Sequence, residues 1–525
     1  MSTVGAYLRL ARAGWIMLRE GVIAAVPGEQ LDGAAKLGWH IARVFSRHKA
    51  KNRDRPERLA KALDRLGPSY VKLGQFLATR PDVVGQEIAM DLASLQDSME
   101  TFPTSNAVSR IEKSLGRKID DLYVQFDEPV AAASIAQVHP AEVALPDGTT
   151  RKVAVKVIRP GVRHLFFRDL ESYFLASRLQ ERFIPSTRRL RPVEVTRTLA
   201  QTTRIEMDLR LEAAALSELA ENTRDDTGFR VPSVDWERTG RDVLTIEWID
   251  GIKMSDMEGL KRAGHDLPHL ARILVQSFLR QTLRDGFFHA DMHPGNLFVD
   301  ADGTIAAVDL GICGRLGKKE RRFLAEILYG FIKRDYRRVA DVHFEAGYVP
   351  HTHSSAAFAQ AIRAIGEPIH GQRAETISMA KLLTLLFEVT ELFDMQTRPE
   401  LLLLQKTMVV AEGVARSLDP NFNMWKTSEP VVGSWIADNL GPRGLIADTR
   451  EGVNALVSLA RQAPELAQRT EKLSREIDAM AENGLRFDKK TAEAIGKAEA
   501  RHSRSGRIAL WVIAIAAIWI AFSLS

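Results

Sequence analysis

The 525-residue sequence holds a single cysteine, Cys313, so no disulfide can form within the chain and a reducing compartment suits it. It also lacks a strong charge of either sign. A net charge of +5 over this length gives no reason to expect a nucleic-acid partner. No secretory leader is legible, because Arg9, Arg12 and Arg19 interrupt the apolar N-terminus and no small-residue cleavage site follows. There is no internal repeat and no long low-complexity stretch. The dinucleotide fingerprint G-x-G-x-x-G is missing, as is a convincing iron site, which argues against an oxygenase. What remains, at 45% hydrophobic and 26% charged residues, is a globular composition long enough for a two-lobed core with segments left over.

Long apolar runs are scarce too, with one exception. Ile508–Ser525 carries 18 residues without a charge, near the lower limit for a helix crossing roughly 30 Å of hydrocarbon. Trp511 and Trp519 lie near its two ends, and Arg501, Arg504 and Arg507 supply the positive flank of a cytoplasmic side. The expectation is a transmembrane anchor; a buried core helix is the plainer alternative.

The periodicities predict an α+β chain. Residues 1–115 read as helical, with apolar steps of three and four such as Leu59, Leu63 and Leu66. YVQFD (123–127), SIAQVHPAEV (134–143) and KVAVKVI (152–158) read as a small antiparallel sheet, with a turn at Pro146-Asp147-Gly148. Helical stretches follow at about 162–183 and 193–222, then a strand at 243–249, then a mainly helical part broken by loops at 289–300 and 304–314. After about residue 430 the pattern is helical and charge-rich. Leu466, Leu473, Ile477 and Met480 form a narrow seam that could pack within the chain or between two copies in a homodimer. The expected divisions are 1–115, 116–250, 251–430, 431–507 and the anchor 508–525.

Phosphoryl transfer needs positioning and charge neutralisation more than covalent chemistry. Lys156, in Val153-Ala-Val-Lys-Val, is a lone cation on an apolar strand. It is either an edge lysine reaching water or the lysine that meets nucleotide phosphates. His289-Ala-Asp-Met-His-Pro-Gly-Asn has the kinase spacing D-x-x-x-x-N, and Asp309-Leu-Gly follows thirteen residues after Asn296. Asn296 and Asp309 would hold Mg2+ through oxygen, with Asp291 near the phosphoryl acceptor. Polar turns capping strands are the plain alternative for each loop alone. Zinc at His289 and His293 is another, without a third nitrogen or sulfur ligand nearby in sequence.

A carboxylate partner for Lys156 is expected on a helix before the strand at 243–249, where Glu206, Asp208 and Glu212 all stand and spacing does not choose. The glycine-rich cover over the phosphates is absent. In its place stand Val130, Ala131, Ala132, Ala133, Ser134, Ile135, Ala136, Gln137 and Val138, where alanine resists positive φ. The segment is either a mere strand turn or a phosphate cover of altered geometry.

These residues together resemble the UbiB family of atypical protein-kinase-like proteins, which support ubiquinone biosynthesis. Lys72-Leu-Gly-Gln75 resembles the family's K-x-G-Q motif, and Ala131–Ala136 its alanine-rich loop. Glu206-Met-Asp208 resembles its E-x-D motif, which leaves Glu212 as the implied partner of Lys156, and the loops at Asp291, Asn296 and Asp309 complete the set. The resemblance covers about residues 50–315. It implies a kinase-like two-lobed fold with an N-terminal helical extension lying over the protein-substrate site, so that Lys72 and Gln75 face ATP beside Glu206 and Asp208. Asp291, Lys156, Glu212, Lys72 and Gln75 then carry the chemistry. ATP lies among the alanine loop, Lys156, Glu206, Asp208 and Glu247, and Mg2+ is held by Asn296 and Asp309.

The implied activity is ATP binding and slow hydrolysis, stimulated by membrane lipid or polyprenylated quinone precursors, on the cytoplasmic side of the inner membrane. Other ubiquinone-biosynthesis proteins are the implied partners. An active kinase on a protein or small molecule, or an ATP-binding scaffold, are the alternatives. Family members often end in two membrane helices, and this chain has room for one.

Overall fold

The computed structural model describes residues 3–22, 54–78, 80–93, 99–183, 188, 190–371, 389, 392–395 and 399–441. The chain divides after Ala437, and the second unit, Asp438–Ser525, is described only to residue 441. The seam at 466–480 and the anchor at 508–525 therefore lie outside the described residues. Among the described residues no helix is long and apolar enough to cross a membrane.

The N-terminal helices are α1 (Thr3–Arg19), α2 (Arg55–Leu66), α3 (Pro68–Ala78), α4 (Pro81–Val84) and α5 (Gln86–Ala93). Gly67, at φ +105°, ends α2 by taking a backbone geometry that side chains resist, and Pro68 opens α3 with its φ already helical. Next come α6 (Thr104–Leu115), α7 (Ile119–Leu122) and the strands β1 (Gln125–Phe126), β2 (Ala131–Ala132), β3 (Ala136–Ala144) and β4 (Thr150–Ile158). The β3–β4 hairpin closes at Gly148, φ +85°, where Asp147 accepts bonds from the Thr149 amide (3.0 Å) and hydroxyl (2.6 Å).

Two long helices, α8 (Val162–Phe183) and α9 (Pro192–Glu206), precede α10 (Leu209–Asn222). The helical run expected over 193–222 is thus two helices. The break falls at Met207-Asp208, where the Asp208 carboxylate accepts the Arg210 amide (3.3 Å) and starts a new N-terminus. Then follow β5 (Phe229–Arg230), β6 (Val243–Glu247), β7 (Ile252–Lys253), α11 (Met257–Arg262), α12 (Leu267–Arg280), β8 (Phe287–His289), β9 (Leu297–Val299), β10 (Ile305–Ala307) and β11 (Cys313–Arg315). The last helices are α13 (Lys318–Lys333), α14 (Tyr336–Glu345), α15 (Ser355–Gly371), α16 (Pro399–Leu418) and α17 (Met424–Asn439).

The first sheet runs β1-β3-β4-β6, with β2 also on β3, and all its pairs are antiparallel. Period-two alternation sets its two faces. Val153, Val155 and Val157 of β4 are buried with Val243, Ala107 and Ile111, against α6. Lys156 therefore points from the opposite face. A second sheet, β5-β10-β9-β7, and the pair β11-β8 carry the two polar loops, over a core containing Phe278, Phe288, Leu297 and Ile305. Leu404, Val414, Ala415 and Leu418 of α16 bury into that same core. A separate cluster joins Leu63, Tyr70 and Val71 to Phe166, Leu170, Tyr173, Leu199 and Met207, seating the N-terminal helices on α8 and α9.

Candidate nucleotide site

Three elements bring the first charged group together. Lys156 projects from β4, Glu212 from the first turn of α10, and Asp309 from the loop after β10. Lys156 Nζ lies 2.8 and 3.0 Å from the two Glu212 oxygens and 2.9 Å from Asp309 Oδ1. Burial works against the ammonium, yet Asp309 and Glu212 outweigh it and hold Lys156 above the ordinary lysine range. Burial pushes Glu212 up to about 7 against the pull of Lys156. Burial would raise Asp309 as well, but Lys156 dominates and brings it down to about 2. Asp309 is therefore the carboxylate that stays charged, with 42% of its side chain still exposed.

Asp309 has φ +60°, a left-handed conformation that costs a non-glycine residue energy and that aspartate tolerates better than most. Its Oδ1 accepts the Gly311 amide at 3.4 Å, a turn back on the local chain that fits this conformation.

His289 ties the two polar loops together. Its Nδ1 accepts the Asp291 amide (3.1 Å), and its Nε2 donates to the Val308 carbonyl (3.2 Å). Burial holds the ring below the usual histidine range, in the neutral form this pattern requires. Both nitrogens are thus committed, and His293 Nδ1 accepts the Gly295 amide (3.1 Å). Among the described residues no three His, Cys, Asp or Glu side chains gather as a metal cage. Among the described residues, zinc at His289 and His293 has no ligand set.

The oxygens suit magnesium instead. Asn296 Nδ2 donates to the Asp291 carbonyl (3.1 Å) and to Asp291 Oδ2 (3.3 Å), and among the described residues Asn296 Oδ1 accepts no bond. An amide oxygen and a carboxylate, without a full protein cage, match an ion that takes one or two carboxylates and completes its shell with water and phosphate.

The N-terminal helices reach the same region. Lys72 on α3 forms an ion pair with Glu206 at the end of α9, their side chains 12% and 10% exposed. One turn on, Gln75 Oε1 accepts the Ser134 hydroxyl at 3.3 Å, joining α3 to the alanine loop. That loop is a tight β2–β3 turn in which Ala133 N–H donates to the Ala136 carbonyl (2.8 Å), and no residue from Val130 to Val138 takes a positive φ. This path never enters the region where alanine is penalised, so glycine is not required.

Other expected site residues are engaged by local partners. Gln137 turns inward, accepting the Phe102 amide (2.9 Å) and donating to the Phe102 carbonyl (3.1 Å) and His139. Glu247 is engaged by Arg230 (2.8 Å) and Ser233. Asp208 holds the Arg210 guanidinium, whose bonds keep its carboxyl below the usual range.

The geometry therefore orders lysine strand, helix carboxylate, catalytic-type loop and metal-type loop as a kinase does. Residues 94–343 match the ABC1 atypical kinase-like domain, and residues 362–423 match the UbiB helical domain. A "Probable protein kinase UbiB" of Marinobacter nauticus is 39% identical over 470 residues, covering 88% of this chain and 84% of its own. The chain belongs to the UbiB family. A relative of the same description from Pseudomonas putida is 39% identical over 420 residues, 79% of this chain and 77% of its own. A solved Mycobacterium tuberculosis structure, a complex with erythromycin, aligns at 24% identity over 75% of this chain and 98% of that one, with a TM-score of 0.44, too slight to add to the fold.

Two residues of the UbiB helical domain also reach the site and carry no motif that announces them. The Thr407 hydroxyl of α16 is shared between the Leu403 carbonyl (2.8 Å) and the Ala290 carbonyl of the catalytic-type loop (3.0 Å). Lys406 Nζ stands 3.7 Å from Asp291 Oδ1. The one available signal was a lone cation amid Leu401-Leu-Leu-Leu-Gln-Lys-Thr, the same pattern that singled out Lys156.

Proposed function

We propose that this UbiB-family chain binds Mg-ATP in the cleft lined by Lys156, Glu212, Asp291, Asn296 and Asp309, and works as an atypical kinase-like ATPase. One observation carries the reading: Lys156 bridges Glu212 and Asp309 within hydrogen-bond distance, beside the Asp291–Asn296 pair. Lys156 would meet the nucleotide phosphates, with Glu212 fixing its position. Asn296 and Asp309 would hold magnesium, which neutralises phosphate charge when bound. In hydrolysis the bond between the terminal phosphorus and its bridging oxygen breaks, and the electron pair leaves on ADP. A water oxygen forms the new bond, and its proton passes toward Asp291.

The Lys72–Glu206 pair and the Gln75–Ser134 contact place α3 against this cleft, which favours ATP turnover over phosphorylation of a bulky protein acceptor. Family membership supports a role in ubiquinone biosynthesis, and the proposal extends it to handling of polyprenylated precursors at the bacterial inner membrane. Asp309→Asn tests the site. It should abolish magnesium-dependent ATP binding by calorimetry while leaving the melting temperature close to wild type, and unchanged binding would sink the assignment. Turnover by purified chain, with and without liposomes and a polyprenylphenol analogue, tests the lipid role. A rate indifferent to both refutes it.

A further inference from the structure

The segment from Asp291 to Asn296 offers no lysine or arginine of its own: between them stand Met292, His293, Pro294 and Gly295. The two lysines nearest in role are already committed, Lys156 to Glu212 and Asp309, and Lys72 to Glu206. A phosphoryl group passing Asp291 brings negative charge to a carboxylate, a repulsion that a fixed cation must offset. Among the described residues the cation within ion-pair reach of Asp291 is Lys406. It arrives from α16, in the region matching the UbiB helical domain.

Three features make this more than a surface contact. The helix is fixed to the loop at the neighbouring residue, through Thr407 to the Ala290 carbonyl (3.0 Å). Leu404, Ala411, Val414 and Ala415 of the same helix are buried, so the backbone carrying Lys406 is held. Finally, the ion pair is open. At 3.7 Å, with both side chains 32% exposed, Lys406 and Asp291 have not closed to the 2.7–2.9 Å of a committed charge-assisted bond. The ammonium has three donors and can face Asp291 and an incoming phosphoryl oxygen together.

We propose that Lys406, supplied by the UbiB helical domain, binds the terminal phosphate of ATP beside Asp291 and completes the charge of the site. This rests on the Mg-ATP reading above and adds a catalytic residue from outside the kinase-like domain. It gives the helical domain a chemical role: α16, fixed to the loop through Thr407, holds Lys406 beside Asp291.

The experiment compares Mg-ATP and Mg-ADP binding by calorimetry, and ATP turnover, for the full wild-type chain, Lys406→Met and Lys406→Arg. Removing one charge-assisted contact to the terminal phosphate should weaken ATP roughly 10-fold or more and leave ADP within about 2-fold, since ADP lacks that group. Turnover should fall by roughly 100-fold, and Lys406→Arg should recover most of the ATP affinity. If Lys406→Met leaves both affinities and turnover unchanged, or weakens ATP and ADP equally, the assignment is overturned while the nucleotide site stands. A wild-type chain that binds neither nucleotide overturns the site itself, and the role of Lys406 with it.

Discussion

Replacing Lys72 with methionine tests how firmly the N-terminal helices are bound to the kinase-like domain. Methionine keeps most of the apolar stem and removes the charge facing Glu206. Both side chains are nearly buried, at 12% and 10% exposure, so the pair is screened little by solvent. Burial already pushes the Glu206 carboxyl above its ordinary range, with Lys72 pulling it back and the charge of Asp309 adding to the rise. Breaking a buried pair from one side costs about 3–5 kcal/mol.

The variant has one escape, which is to protonate Glu206. The sign follows from proton counting. Without Lys72 the native carboxyl rises further above its unfolded value, so the folded variant keeps a proton that the unfolded chain has released. Its stability therefore falls as pH rises. The deficit against wild type should be about 3 kcal/mol at pH 8 and shrink by up to ~1.4 kcal/mol per pH unit on acidification, over the window in which Glu206 is protonated in the variant and still charged in the wild type. Urea unfolding at several pH values, followed by the fluorescence of the chain's 8 tryptophans, reads this directly. The double variant Lys72→Met, Glu206→Gln should recover most of the loss. A pH-independent deficit, or a double variant that costs the sum of the singles, would refute the reasoning.

His343 supplies a pH signature away from the site. Burial brings its ring down to about 4, against the single bond to the Val339 carbonyl (2.7 Å). The unfolded chain takes up a proton below about pH 6.5 that the native state refuses, so this stability is full above 6.5 and is lost as pH falls toward 4. The loss reaches about 3 kcal/mol, and His343→Gln should flatten that part of the curve; an unchanged slope would contradict it. Gly314→Ala should destabilise by at least about 2 kcal/mol, because an added Cβ would stand 2.1 Å from the ring of Phe288, which is fully buried on the paired strand. A urea midpoint within error of wild type would show that the β8–β11 ladder yields more easily than its packing implies.

Much of the site was legible because its signals are local. Within the apolar run Val153–Ile158 of β4, Lys156 is the one polar residue, and Asp291, Asn296 and Asp309 lie within nineteen residues on two loops. The partner of Lys156 was not legible from spacing, since Glu206, Asp208 and Glu212 share one helical run. What separates them is the chain break at Met207. It ends α9 with Glu206 toward Lys72, uses Asp208 as a cap, and starts α10 with Glu212 toward β4. A capping aspartate inside an otherwise continuous pattern was the available clue. The alanine loop was ambiguous in another way. It left open a mere strand turn or a phosphate cover of altered geometry, and its backbone stays at negative φ throughout.

The sequence marks Lys406 only as a lone cation in an apolar run; its place at the site comes from the packing of α16 against the core, which brings it to a loop more than a hundred residues earlier. The same logic unites the three lysines of the cleft. Lys156 comes from the sheet, Lys72 from the N-terminal helices and Lys406 from the helical domain, and each meets a different carboxylate: Asp309 with Glu212, Glu206, and Asp291. Two of the three cations therefore enter from the segments flanking the central sheets. A nucleotide bound beside Lys156 would therefore meet positive charge contributed from both flanking regions as well as from β4.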